Sequence, residues 1–221
     1  NIFERSLIKK YPTLFPAIRA PFSSKSEPFK ISCADGWYTL IDTFSELLTN
    51  QFPEIVADQV FKDDSNRLLL LFIRYDIDHH DYIYNQVEFI SLLTAVICEK
   101  CSKLTMNSND FNSTLCSCCM KHSKLPNDQP IVSEIIKEVF PPLFYLKSIG
   151  SMWREILSTL SQDISRSIKY FNMPNVTVSK VDIVAGKLQI IFTGGNYETQ
   201  SKVDLLLSYA NKIDEETGRV I

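Results

Sequence analysis

Two Cys-x-x-Cys pairs constrain this chain more than anything else in it. Cys98-Glu-Lys-Cys101 is followed, after fourteen residues, by Cys116-Ser-Cys118-Cys119 and then His122. Pairs at that separation match the four-cysteine zinc pattern, in which a loop of roughly 15–20 residues parts C-x2-C from C-x2-C. Each pair can turn two sulfurs toward one point, and two pairs complete a tetrahedron of thiolates around Zn²⁺. The spacing predicts a structural zinc held by Cys98, Cys101, Cys116 and Cys119. Adjacent cysteines rarely both serve one site. Cys119 preserves the pair spacing, while Cys118 or His122 could substitute as the fourth ligand. Four protein ligands close the coordination sphere, so the predicted role is to fasten loop 102–115 to the preceding helix.

The remaining totals narrow the function classes. A chain of 221 residues with 45% hydrophobic and 22% charged residues is ordinary globular material, able to bury a core as one large domain or two small ones. The formal net charge of −3 disfavours a purely electrostatic grip on nucleic acid, which draws its affinity from Lys and Arg neutralising phosphates. No apolar run reaches the roughly 18 residues of a membrane span, and Leu68 to Ile73 reads as a buried strand. Five of the six cysteines sit at metal-ligand spacing rather than spread as a disulfide framework. That usage, with no hydrophobic signal segment at the start, predicts a reducing, cytoplasmic setting.

Along the chain the order of elements occurs twice. Phe3, Leu7 and Tyr11 are four apart on a short amphipathic helix that Pro12 stops. A Pro- and Ser-rich connector spans 16–32. Asp35 can then cap a helix whose apolar face is Trp37, Leu40, Ile41, Phe44, Leu47 and Leu48. Strands are expected at 54–61 and 67–75 about a turn at 62–66, and then a helix carrying Ile83, Val87 and Ile90 delivers Cys98 to the metal. In the second half Phe140-Pro-Pro-Leu-Phe144 echoes Tyr11-Pro-Thr-Leu-Phe15. Trp153, Ile156, Leu157 and Leu160 echo Trp37, Leu40, Ile41 and Phe44. A hairpin at 176–183 and 187–193, turning at Ala185-Gly186, and a helix near 198–212 complete the copy. The expected fold is α+β: two tandem α-β-β-α units with antiparallel hairpins, at 1–125 and 126–221, the hairpins joining into one sheet with helices on one side. The first unit ends in a zinc-ribbon or knuckle-like clip. The second is degenerate or truncated, stopping at Val220-Ile221, about where the first reaches its cysteines.

Tyr11-Pro-x-Leu-Phe15, Cys33-Ala-Asp-Gly-Trp-Tyr-Thr-Leu-Ile41, a hairpin, a helix and Ile97-Cys-Glu-Lys-Cys101 together resemble a family of small, functionally uncharacterised phage and prophage proteins. That family's pattern is Cys-Gly-Asp-Gly-Trp-Tyr-x-Leu-Ile, a Gly-Gly hairpin, and Ile-Cys-Glu-x-Cys-Gly before a last Cys or Cys/His group. The resemblance covers 1–122 and, more faintly, 131–221. Ala34 stands for the family's Gly, Asp64-Ser65-Asn66-Arg67 for its Gly-Gly turn, and Ser102 for the Gly after the second cysteine. The resemblance implies a metal clip; the family has no established activity, so the resemblance lends none.

Other clusters read as structure. Asp76-Ile-Asp78-His79-His80-Asp81, with Glu88 beyond, could hold a hydrolytic metal and make the chain a metal-dependent hydrolase or nuclease. The competing reading is a solvated loop in which Asp78 or Asp81 caps the next helix, and the second half has Gly194-Gly-Asn-Tyr-Glu198 there. Trp37 and Trp153 have the helical spacing of core residues, and Cys33 reads as a small buried hydrophobe. Lys100, Lys103, Lys121 and Lys124 surround the cysteines and leave a nucleic-acid-binding zinc module as an alternative. Lysines so placed more often solvate the loop and offset anionic thiolates. The expectation is a non-enzymatic, zinc-containing interaction protein of phage or prophage type with a protein partner.

Overall fold

The computed structural model describes residues 2–16, 31–62, 68–74, 77–105, 115–116, 118–119 and 149–221. In these the order is α1 (Ile2–Lys10), β1 (Ile31–Ser32), a 3₁₀ turn (Asp35–Trp37), α2 (Tyr38–Gln51), β2 (Val56–Lys62), β3 (Leu68–Arg74), a second 3₁₀ turn (Ile77–His79) and α3 (His80–Val96). After it come α4 (Ser151–Phe171), β4 (Val176–Val184), β5 (Lys187–Gly194) and α5 (Tyr197–Ala210). The fold is therefore mixed α+β, and helices and hairpins fall where the apolar periodicity puts them. The 125/126 boundary and the Phe140–Phe144 echo lie outside the described residues.

The helices close on a shared core. Trp37, Leu40, Ile41, Phe44 and Leu48 of the first half and Ile156, Leu157, Leu160 and Ile164 of the second are completely or almost completely buried in one continuous apolar cluster. Both tryptophans belong to it, as their spacing requires. The Trp37 indole N–H donates to the carbonyl of Ile97 at 2.9 Å, and that of Trp153 donates to Ala210 at 3.1 Å. A buried indole needs such a partner, and in both cases it is the last stretch of the closing helix or the residue just beyond it. The halves meet through helices: α3 packs on α4 and α5, and α2 on α5.

Among the described residues the hairpins do not join. Antiparallel β2 and β3 form one sheet, to which Ile31–Ser32 adds a short parallel strand beside Val60 and Phe61, and β4–β5 form a separate two-stranded sheet. The single sheet expected from the sequence is thus replaced by two. β3 packs on α3 and β5 on α5, while helices fill the seam between the halves. In β4 the side chains of Val176, Val178 and Val181 are buried while Thr177, Ser179 and Lys180 are exposed. One packed face suffices for a strand of this kind.

Helix starts also differ from expectation. Neither Asp35 nor Asp78 nor Asp81 is an N-cap: those positions fall to Ala34, Trp37 and His79, without a side-chain cap bond. The 3₁₀ turns preceding α2 and α3 put each aspartate inside the first turn of a helix, where it faces the positive dipole end without capping it. By contrast α5 has a complete capping box, Asn196 accepting from the Thr199 N–H and Thr199 from that of Asn196.

The β4–β5 hairpin turns on Ala185 and Gly186, with φ of 52° and 75°. Two successive left-handed residues define a type I′ turn, whose first position strongly favours Asn. An alanine there carries about 1–2 kcal/mol of left-handed strain. Ala185→Asn is expected to raise stability by about 0.5–1 kcal/mol, read as a higher urea midpoint with unchanged slope. A lower midpoint would mean that the side chain at 185 has a packing role.

Candidate metal centre

The four predicted cysteines come together. The Sγ atoms of Cys98, Cys101, Cys116 and Cys119 all lie within 4.8 Å of one another, and among the described residues this is the group of His, Cys, Asp and Glu side chains that could hold a metal ion. Cys98 and Cys116 are buried, Cys101 and Cys119 half-buried. The sulfurs of Cys101 and Cys116 are 3.4 Å apart, far beyond a disulfide bond, and all six cysteines are free thiols. Cys118 is exposed and stands outside the cluster. His122, Lys121 and Lys124 lie outside the described residues.

How the backbone builds this cluster is visible bond by bond. After α3 the chain makes an antiparallel bridge between Ile97 and Leu104. Within it the Cys98 N–H donates to Lys103 at 2.7 Å and the Ser102 N–H to Cys98 at 3.0 Å, a tight knuckle that aims both sulfurs inward. Ser102 closes the turn at φ 63°, the left-handed position that glycine fills without strain, and its hydroxyl donates to the Gly36 carbonyl at 2.7 Å. Burial works to raise the Cys98 thiol, but backbone N–H groups of Cys116, Lys100 and Cys101 aimed at its sulfur outweigh burial and lower it. Burial raises the thiols of Cys101 and Cys116. Such N–H donors to sulfur are what a bound thiolate requires.

The Asp-Gly-Trp segment is the seat of the knuckle. The Gly36 N–H donates to Glu99 at 2.6 Å, and Trp37 holds the Ile97 carbonyl. A Cβ at position 36 would lie 2.3 Å from the Cys98 carbonyl oxygen, so only glycine lets the two backbones approach this closely. From the other side Lys62 of β2 pairs with the Glu99 carboxylate at 2.7 Å. Cys33, two residues before Asp35, is half-buried against the core; burial and nearby carboxylates push its thiol up to about 12, which makes it unreactive.

A second knuckle follows α5, and the sequence reading missed it. Ile213 and Val220 form the same kind of antiparallel bridge. The Asp214 N–H donates to Arg219 at 2.7 Å and the Gly218 N–H to Asp214 at 2.9 Å, and Gly218 has φ 68°. Here Asp214 and Thr217 occupy the places of Cys98 and Cys101. The Asp214 carboxylate accepts from the N–H groups of Glu216 and Thr217 and from the Thr217 hydroxyl at 2.7 Å. A carboxylate and a hydroxyl close this turn internally, in the place of a pair of sulfurs. The Met152 N–H donates to Glu215, as that of Gly36 does to Glu99.

Among the described residues the acidic and histidine cluster does not assemble. Asp76 lies outside the described residues; Asp78, His79, His80 and Asp81 are exposed. His79 packs on the Phe52 ring at 4.7 Å, and His80 stacks on Tyr84 at 5.8 Å while contacting Asp81 at 3.3 Å. No helix among the described residues is long and apolar enough to cross a membrane.

Comparison with protein-family models, with curated proteins and with solved structures finds no match to this chain.

Proposed function

We propose that this chain is a non-enzymatic interaction protein whose first unit is held in shape by a structural zinc ion, and that its partner is a protein. The observation that carries the reading is the convergence of four thiols within 4.8 Å at the end of α3. Zn–S bonds of about 2.3 Å place tetrahedral sulfurs roughly 3.8 Å apart, a spacing compatible with this cluster. Cys98, Cys101, Cys116 and Cys119 would hold the ion and leave no position for water, so the ion's contribution is cohesion. Two matching knuckles, each reached through a Trp-bearing helix, a hairpin and a closing helix, support a tandem duplication in which the second copy exchanged metal for Asp214 and Thr217. The resemblance to phage and prophage proteins rests on the Gly36-Trp37 and Cys-x-x-Cys landmarks, and free cysteines gathered at metal-ligand spacing favour a reducing, cytoplasmic setting.

Elemental analysis of protein purified under reducing conditions should give about one zinc per chain. Cys98→Ser and Cys119→Ser should lose it, and Cys118→Ser should keep it. Metal-free wild-type protein would sink the zinc reading; loss of zinc from Cys118→Ser alone would move the fourth ligand. Capture from a host lysate, with and without nuclease, tests the partner class. A protein retained after nuclease is the expected result, and capture that nuclease abolishes would point to nucleic acid.

A further inference from the structure

Beside the seam between the halves runs a cleft of about 1,590 Å³, walled by the first half of α3, β3, the C-terminal part of α4 and the N-terminal half of α5. It lies apart from the cysteines. Its volume exceeds the roughly 300–1,000 Å³ of a small-molecule site, which favours a length of polypeptide as occupant. Three aromatic side chains that line it are unusually open to water: Tyr84 at 52%, Phe171 at 69% and Tyr197 at 82% exposure. Large rings held so far out of the core gain most when a partner covers them.

The charge of the lining selects the partner. Glu88 accepts a hydrogen bond from the Tyr84 hydroxyl at 3.1 Å, and Asp204 accepts from Gln200 at 2.7 Å and Tyr82 at 3.3 Å. These donors are neutral, so none of these hydrogen bonds sets a cation against a carboxylate at the cleft surface. Asp81, whose side chain is 97% exposed and contacts the His80 imidazole at 3.3 Å, adds a third. Opposing them, Arg166 faces the cleft, and Lys202 beneath it is spent on Asp163 and Glu198. Carboxylates beside exposed rings are complementary to Arg and Lys side chains, which pair with the first and lie over the second. Phosphate backbones would be repelled.

We propose that this cleft binds a basic, Arg- or Lys-bearing peptide segment of a partner protein. The inference rests on the protein-partner reading above and names the surface and the chemistry of its partner. The probe is a fluorescein-labelled peptide rich in Arg and Lys, with a Glu-substituted twin as control, read by anisotropy at low and moderate salt. Wild-type protein should bind the basic peptide and not its twin. The surface variant Asp81→Asn/Glu88→Gln/Asp204→Asn should bind about tenfold more weakly, and Phe171→Ser/Tyr197→Ser should also weaken binding. Thermal melts would establish that both variants stay folded. Equal affinity of wild-type and carboxylate variant, or no binding by wild-type, would overturn the proposal. A lysate partner captured equally by wild-type and both variants would overturn the cleft assignment while leaving the interaction reading intact.

Discussion

Gly36→Ala should destabilise the protein by about 3 kcal/mol and loosen its hold on metal, although position 36 carries no ligand. The added Cβ would stand 2.3 Å from the Cys98 carbonyl oxygen and 2.6–2.7 Å from the Glu99 carbonyl, contacts with backbone that no rotamer change relieves. Either the 3₁₀ turn or the knuckle must move, and overpacking of this kind costs about 1–3 kcal/mol. Movement also strains three bonds between the two segments: Gly36 N–H to Glu99, Ser102 hydroxyl to Gly36, and the Trp37 indole to Ile97. Buried bonds left unmade cost about 1–3 kcal/mol each, so losing one gives a total of about 2–6 kcal/mol, and the figure above takes the lower part of that range because the turn can relax. Gly150→Ala is the informative control, because its Cβ would meet the Glu215 carbonyl oxygen at 2.4 Å beside the second knuckle. The two variants should lower the denaturation midpoint similarly. With the proposed zinc bound, only Gly36→Ala should speed its transfer to a chromogenic chelator. Equal release rates from both would show that the knuckle holds its geometry independently of its seat.

Local periodicity and spacing made most of this architecture legible. Trp37, Leu40, Ile41 and Phe44 announce a buried helical face because residues three and four apart share one side, and all four are fully buried. The cysteine cluster was readable because Cys-x-x-Cys is itself a backbone shape, a turn that points both sulfurs one way. What went unread depends on pairing across distance. Ile31–Ser32 is too short to carry a period and becomes a strand only because β2 lies beside it. The second knuckle has no cysteine to mark it. Its one sequence signal is Asp214-x-x-Thr217-Gly218 directly after a helix, with the glycine standing where the first knuckle has Ser102. Alternation within each hairpin likewise says which face is buried and nothing about which sheet the hairpin joins, so the split into two sheets was not foreseeable.

Lys202→Ala should cost about 3–5 kcal/mol, the other large effect expected in this molecule. A lone lysine in an amphipathic helix ordinarily reaches solvent, yet Lys202 is 1% exposed. Its ammonium lies 2.6 Å from Asp163 on α4 and 2.7 Å from Glu198 one turn back on α5. The contact with the inner Asp163 oxygen is an ion pair, and that oxygen accepts no hydrogen bond from the described residues. Glu198 additionally accepts from the Ser167 hydroxyl at 2.8 Å. Deleting the cation leaves two largely buried carboxylates facing each other with nothing to balance them, and that imbalance outweighs the lost packing. Lys202→Met, which restores volume and not charge, should therefore rescue little. Removing the whole set in Asp163→Leu/Lys202→Met/Glu198→Gln should recover most of the loss, because the expense of a buried ion pair lies in breaking it. Urea denaturation of the three variants at neutral pH separates the cases. If Lys202→Met were as stable as wild-type, packing rather than charge would explain the site, and α4 and α5 would owe their apposition to Leu157, Leu160, Val203 and Leu206 alone.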